Sequence, residues 1–404
     1  MRPSFNTTGP CFPGEHYMLP PGDRLGRVLR LVDEGKYFTL HAGRQTGKTT
    51  CLQWLVEHLN EEGRFHGVWV DIQTARENPR PAEAFKTVLE MLDWGIRRSL
   101  PALPLPAHGP LLENPSTAIV RYLRELTARC PRPLVVLFDE ADGLMGDAMV
   151  SFLTQLRYGY IDRVKTPFPH SIALVGMRQV RDYALSQEER QTVAWLGTTS
   201  PFNITAEAAT LASFTREQVA ALLGQHTEVT GQRFEAQAVE RIFELSEGQP
   251  WLVNALADQI VNRDLSDRSA VITAAHVEAA KETIILERRT HIDSLAARLR
   301  EGRVRAVIGP LLEGSVHVAD VLEEDYQYVR GLGLIAADNP VRIANPIYRE
   351  VIARVLAAPV ERVVTEDPRS FVLPDGRLDM DRLLTEFAAF WREHGEVLEQ
   401  GLVY

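Results

Sequence analysis

The sequence predicts an α/β fold, a doubly wound parallel sheet followed by an all-helical half. Three observations predict it. Uniformly apolar runs such as Leu134-Val135-Val136-Leu137-Phe138 and Ile172-Ala173-Leu174-Val175 read as parallel strands buried on both faces. Helical periodicity alternates with such runs up to about residue 205, then continues without them. With 404 residues, 45% hydrophobic and 24% charged, the chain has the size and composition of two or three globular domains.

In order, residues 1–35 are rich in Gly and Pro and read as an ordered loop with a short helix. Tyr37-Phe38-Thr39-Leu40 is a β-prone run followed at once by a glycine-bearing turn. From Thr49, the spacing of Leu52, Leu55, Val56 and Leu59 predicts an amphipathic helix. Val68-Trp69-Val70 reads as the next strand, and helices are expected at about 81–98 and 116–129. The two apolar runs quoted above supply the third and fourth strands. Beyond 205 the strands are expected to stop. Thr215-Arg216-Glu217-Gln218 fits a capping box. A helix over about 235–246 ends at Gly248-Gln249-Pro250, and another begins at Trp251. Leu334-Ile335-Ala336 and Val341-Arg342-Ile343 flank a turn, as in the hairpin of a winged helix. The tail ends in an amphipathic helix carrying Leu383, Leu384, Phe387, Phe390 and Trp391.

The chemistry starts at Ala42-Gly43-Arg44-Gln45-Thr46-Gly47-Lys48-Thr49, a Walker A pattern with Ala42 at the usual first glycine. Gly-Lys-Thr alone is common by chance; between a strand and a helix it is specific. Gly47 lets the backbone approach phosphate, and the amides after it form an anion nest. Lys48 is expected to reach the β and γ phosphates and the Thr49 hydroxyl to ligate Mg²⁺. Phe138-Asp139-Glu140 closes the third strand as a Walker B motif. Asp139 belongs to the Mg²⁺ ligands, and Glu140 is placed to orient and deprotonate the attacking water. These motifs make a P-loop NTPase core, with ATP preferred over GTP because no Asn-Lys-x-Asp run is present. The fourth strand ends at Gly176-Met177-Arg178, beside the phosphate loop, so Arg178 is a candidate γ-phosphate sensor. Gly248 and Pro250 stop a helix and are also candidates to meet the nucleotide. Arg157 and Arg163 read as surface charge rather than arginine fingers, Trp251 and Trp391 as packing, and His16 and Tyr17 as weak candidates for the adenine.

Composition narrows the partners. A formal net charge of −10 gives no overall pull toward nucleic acid or anionic membrane. No apolar run approaches the roughly 18 residues of a spanning helix, and no signal-peptide core is present, which reads as cytoplasmic. Cys11, Cys51 and Cys130 have no metal-ligand spacing, and Cys51 reads as core.

The sequence also resembles a family. Asn6-Thr7-Thr8-Gly9-Pro10-Cys11, His16-Tyr17-Met18, the run from Tyr37 to Thr50, Gly176-Met177-Arg178, Ser200 to Ile204, Gly248 to Trp251 and Asn345 to Val351 resemble prokaryotic AAA-like ATPases. These stand near the STAND and archaeal ATPase groups of the AAA+ class. The resemblance covers roughly residues 5–360. It implies a core of the additional-strand, catalytic-glutamate type, a helical lid and a winged helix, with Arg178 as the sensor arginine. It implies nucleotide contacts from Gly43, Arg44, Gln45, Thr46, Gly47, Lys48, Thr49 and Thr50, and from the lid's Gly248 and Pro250.

The division expected is a loop segment (1–35), an ATPase core (36–205), a lid (206–285), a winged helix (286–360) and a helical tail (361–404). Some relatives continue past a segment like Phe371 to Arg377 into a nuclease domain. No Asp…Glu-x-Lys constellation follows that segment here, so no nuclease activity is assigned, and the effector is expected to be missing or separate. The functional expectation is a slow, Mg²⁺-dependent ATPase switch acting on a protein partner or effector, with ATP-dependent self-assembly open. The alternative is a nucleic-acid-binding ATPase in DNA defence, repair or mobile-element handling. The acidic Asp320, Glu323, Glu324 and Asp325 within 316–329 count against DNA contact there.

Overall fold

The computed structural model describes residues 2–41, 43–76, 78–176, 205–287, 289–312, 324–336, 340–361, 371–373 and 377–389. Its sheet has five strands: β1 (Tyr37–His41), β2 (His66–Asp71), β3 (Leu134–Asp139), β4 (Ser171–Gly176) and β5 (Thr205–Thr210). Their order is β2-β3-β4-β1-β5, and all pairings are parallel. β4 therefore lies between the strand that leads into the phosphate loop and the strand that ends in Asp139. His41 pairs with Gly176 in register, so the carboxyl ends of β1 and β4 meet beside that loop, as the sequence suggests.

β5 corrects the expectation that strands stop at about residue 205. Its sequence, Thr205-Ala206-Glu207-Ala208-Ala209-Thr210, has branched residues only at its two ends and three alanines and a glutamate between them, too weak a signal to mark a strand. It forms because β1 leaves one edge open, and it pairs with β1 along that edge.

The period-2 alternation of the strands explains the two layers. Leu134, Val136 and Phe138 face one core, together with Phe85, Leu89, Leu123 and Phe152. Val135 and Leu137 face the other, with Leu31, Leu52, Leu55 and Leu59. The helices α1 (Gly26–Asp33) and α2 (Lys48–Glu62) cover that second face. On the first face lie α3 (Pro81–Ser99), the short α4 (Gly109–Leu112), α5 (Pro115–Arg129) and α6 (Gly146–Asp162). Cys51 is buried in the second core, as expected.

The helical half starts with α7 (Arg216–Thr230), whose capping box between Thr215 and Gln218 is formed in both directions. There follow α8 (Ala236–Ser246), α9 (Pro250–Gln259), α10 (Ala274–Leu286), α11 (Thr290–Arg298), α12 (Gly302–Leu312), α13 (Glu324–Gly331) and α14 (Pro346–Glu361). One continuous core joins them: Leu222, Leu252 and Ile284 belong to the same cluster as Ile308, Ile335 and Ile352. The expected hairpin arms do pair, Ile335 with Ile343 in antiparallel register, although the turn 337–339 between them lies outside the described residues.

The start of the N-terminal segment is tied to α2 as well as to this half. Tyr17 is buried there with its hydroxyl 3.2 Å from His226 Nδ1, and Trp251 Nε1 donates to Thr7 O at 2.9 Å. Tyr17 is thereby committed to packing, and Trp251 is core as expected. In the tail, residues 380–389 are helical, with Leu384 and Phe387 exposed; Phe390 and Trp391 lie outside the described residues.

Candidate functional site

Local geometry makes the loop after β1 an anion cradle. Gly47 takes the left-handed conformation (φ 79°) that a Cβ disfavours, and it is the N-cap of α2 without contributing a side chain. The first amides of α2 are thus left to an external acceptor at the positive end of the helix dipole. Thr46 Oγ1 donates to Gly43 O at 2.9 Å and closes the loop. Among described non-glycine residues, positive φ is found at Gln45, Glu140 and Glu247 (57°, 53° and 47°). Backbone in that region is held only where its surroundings demand it. Two of these residues lie in the two Walker segments, and the third precedes Gly248.

The ends of β1 and β3 meet through Lys48. Its ammonium lies 2.8 Å from Asp139 Oδ1 and is also ion-paired and hydrogen-bonded to Glu140 Oε1. Asp139 is buried; Trp69 Nε1 donates to its Oδ2 at 3.3 Å, and the Glu140 amide donates to its Oδ1 at 2.9 Å. Arg76 stands 3.8 Å from the second oxygen of Glu140. Burial by itself would lower the Lys48 pKa, but the two carboxylates hold it above its ordinary value. For Asp139 burial dominates and raises the carboxyl against the pull of Lys48, as expected when two carboxylates share one cation.

The outward side of the same loop carries contacts that the motifs do not announce. Arg44 Nη1 donates to Ser294 Oγ of α11 at 3.0 Å. A Cβ on Gly43 would stand 3.5 Å from the carbonyl oxygen of Leu332, in the turn after α13, so backbone meets backbone closely there. Gln249 Nε2 reaches Gln45 O at 3.4 Å. Thr50 Oγ1 accepts from the Cys11 amide at 3.0 Å. Arg24, in the turn before α1, donates to Thr46 O at 2.9 Å and to Ala212 O at 2.7 Å.

The structure thus brings together Gly43 to Thr50, Asp139 and Glu140. Of Gly248-Gln249-Pro250, it is Gln249 that touches the loop. Gly248 (φ 70°) is pressed on Phe214, whose amide donates to Gly248 O at 2.8 Å, and Pro250 opens α9. Arg178 and Ala42 lie outside the described residues. Arg163 is engaged at home: it donates to Gly35 O and His170 O.

Hard oxygen donors at Asp139 and Thr49, with a cradle of free amides, suit a magnesium-bound polyphosphate rather than a softer metal. The carboxylates that converge on the Lys48 ammonium already form a cation-binding corner.

A family model described as an AAA-like domain matches residues 26–301, a stretch that includes the phosphate loop, Asp139, Glu140 and Gln249. The chain belongs to this AAA-like family. Among solved structures it is similar to a Walker-type ATPase of Pyrococcus abyssi, at 14% identity and a TM-score of 0.60, covering 86% of this chain and 99% of that one. It is also similar to the ORC2 protein of Aeropyrum pernix (15% identity, TM-score 0.45, 84% and 93% covered). A further likeness is to the RuvB Holliday junction branch migration motor of Thermotoga maritima (16%, 0.38, 82% and 93%). At 14% identity the likeness to the Pyrococcus abyssi ATPase speaks for the fold alone. No curated protein sequence matches the chain. Among the described residues, no helix is long and apolar enough to cross a membrane.

Proposed function

We propose that this AAA-like protein binds ATP with Mg²⁺ and hydrolyses it slowly, as a STAND-type switch whose helical half responds to the nucleotide. The observation that carries the reading is that the phosphate loop itself bonds to that half. Arg44 meets Ser294 and Gln45 meets Gln249, one residue apart on the loop. A change in loop geometry on nucleotide binding is therefore felt at both places. The position of β4 between β1 and β3 supports assignment to the additional-strand, catalytic-glutamate type. The helices α11 to α14 with the Ile335–Ile343 pairing support a winged helix over 286–360, following a lid over 206–285.

In this reading Gly43 to Thr50 hold the phosphates. Lys48 leaves Asp139 and Glu140 for the β and γ phosphates, so one movement of the ammonium releases both carboxylates. Asp139 and Thr49 would hold Mg²⁺, whose charge would offset that of the phosphates. Glu140 takes a proton from the water that attacks the γ phosphorus as the bond to the β–γ bridging oxygen breaks. Arg178 senses the γ phosphate. Gly248 and Pro250 fix the turn that carries Gln249 to the loop. A protein partner or effector reads the helical half, and ATP-dependent self-assembly is a further possible output of the same movement.

Lys48→Ala tests the centre of this reading. Fluorescent ATP-analogue binding is expected to weaken by about a hundredfold or more, the scale of a lost charge-assisted phosphate contact. Unchanged affinity would contradict it. Turnover measured with and without duplex DNA, alongside light scattering, separates the alternatives. Indifference to DNA supports a protein-partnered switch, and DNA-stimulated turnover supports a nucleic-acid ATPase.

A further inference from the structure

Arg24 stands outside both Walker motifs, yet its guanidinium lies directly against the phosphate loop. Nη1 donates to Thr46 O at 2.9 Å, and a Cβ on Gly47 would come within 3.3 Å of the same nitrogen. Nε donates to Ala212 O at 2.7 Å, on the segment that leads from β5 to the lid. The Arg24 Cζ lies 5.2 Å from the ring centroid of Phe214, and the Phe214 amide donates to Gly248 O. One planar group therefore links the loop, the chain segment entering the lid, and the turn that carries Gln249.

Its charge is the unexplained part. Nη2 is buried without a hydrogen-bond partner, and among the described residues no carboxylate forms an ion pair with Arg24. The remaining neighbour is the Cys51 sulfur at 3.8 Å from Nη1. Burial pulls the guanidinium below its ordinary pKa. A half-buried cation matched only by dipoles and one aromatic face is costly. The cost is compounded here because Arg24 abuts Gly47, at the positive end of the α2 dipole. Lys48, the other cation nearby, has two carboxylates of its own. Neutral hydrogen bonds would suffice to tie Thr46 to Ala212, so a mere strut needs no guanidinium. What fits a positive charge placed behind an anion cradle is a polyanion lying in front of it.

We propose that Arg24 is a positioning residue for the nucleotide: its charge is balanced by bound polyphosphate, and its fork ties the Thr46 peptide to the entrance of the lid. This rests on the nucleotide reading above and deepens it. Arg24 does not touch phosphate; it turns the Thr46 carbonyl outward, which keeps the following amides facing the cradle. It also makes the loop's orientation and the lid entrance one mechanical unit.

The test is a set of full-length variants, Arg24→Gln and Arg24→Lys, compared with wild type in fluorescent ATP- and ADP-analogue binding and in thermal melts without nucleotide. Arg24→Gln keeps a donor and drops the charge. It is expected to melt no lower than wild type, yet to bind the ATP analogue about tenfold more weakly and the ADP analogue with a smaller loss. That is the order for two unit charges about 12 Å apart at an effective dielectric near 20. Arg24→Lys keeps the charge and drops the fork, and is expected to fall between the two. A strut would show the opposite pattern, a lowered melt with unchanged affinity. That result, or an Arg24→Gln chain that does not fold, overturns the proposal. Wild-type affinity in Arg24→Lys overturns the fork's part in it. A wild-type protein that binds neither nucleotide removes the nucleotide reading itself, a separate failure visible in the same titration.

Discussion

The two sides of the phosphate loop are built differently. On the inner side, Lys48 at the start of α2 meets Asp139 and Glu140 at the end of β3, and their ion pairs are short and largely buried. On the outer side, Arg44 donates to Ser294 at the surface and Gln45 accepts from the buried Gln249, each through a single hydrogen bond to a residue far along the chain. Strong, fixed contacts suit chemistry that requires placed charges. Weak, long-range contacts suit a connection that has to break and re-form, because each costs little to lose. One loop is thus held by ion pairs toward the sheet and by single hydrogen bonds toward the helices.

The comparison can be broken first at the inner side. Glu140→Gln is expected to lower ATP turnover by about a thousandfold while leaving nucleotide affinity within a few-fold, as for a lost general base. A single-turnover assay against an equilibrium titration reads both. Gly248→Ala tests whether the lid turn is as tightly built as it looks. Its new Cβ would lie 1.9 Å from Phe214 O at a left-handed φ, so about 3 kcal/mol of stability should be lost in a denaturant melt.

His291 sharpens the comparison on the outer half. It is buried between Trp251 and Tyr348, with Nε2 2.5 Å from the Tyr348 hydroxyl. Burial, with the Arg44 charge nearby, pushes its pKa down to about 4. The unfolded chain takes up this proton near pH 6.5 and the folded chain does not, so stability falls as pH drops from 6.5 toward 4. The share from this residue is about 3 kcal/mol. His291→Gln should remove that share of the slope in melts across this range. The smallest effect belongs to Ser294→Ala, which breaks the Arg44 bond at a cost of about 1 kcal/mol or less in the same melts. A larger loss would mean that the outer contacts are as rigid as the inner ones.

The inner side was legible in the sequence because its signals are local. Gly47-Lys48-Thr49 follows a strand and opens a helix, and Asp139-Glu140 ends an apolar run. Most strands and helices of the core were legible for the same reason, though α4 and α6 were not among the helices expected. β5 was not legible, since an alanine-rich edge strand is specified by the open edge of β1 rather than by its own residues. The outer side was hidden by distance. Arg44 and Ser294 are 250 residues apart, and Gln45 and Gln249 are 204 apart. The glycine and proline of Gly248-Gln249-Pro250 gave the motif away, while the glutamine between them makes the contact. Arg24 carried no signal at all; a lone arginine after Gly22-Asp23 reads as surface until its burial is seen.

Hydrogen–deuterium exchange of the full chain, with ADP or with a non-hydrolysable ATP analogue and Mg²⁺, tests the central claim most directly. Both nucleotides should protect the loop over residues 43–50. The account predicts that the triphosphate also changes exchange in α9 and α11 and in the turn after α13, where Gln249, Ser294 and Leu332 meet the loop. Protection of the loop with those three segments unchanged would contradict it.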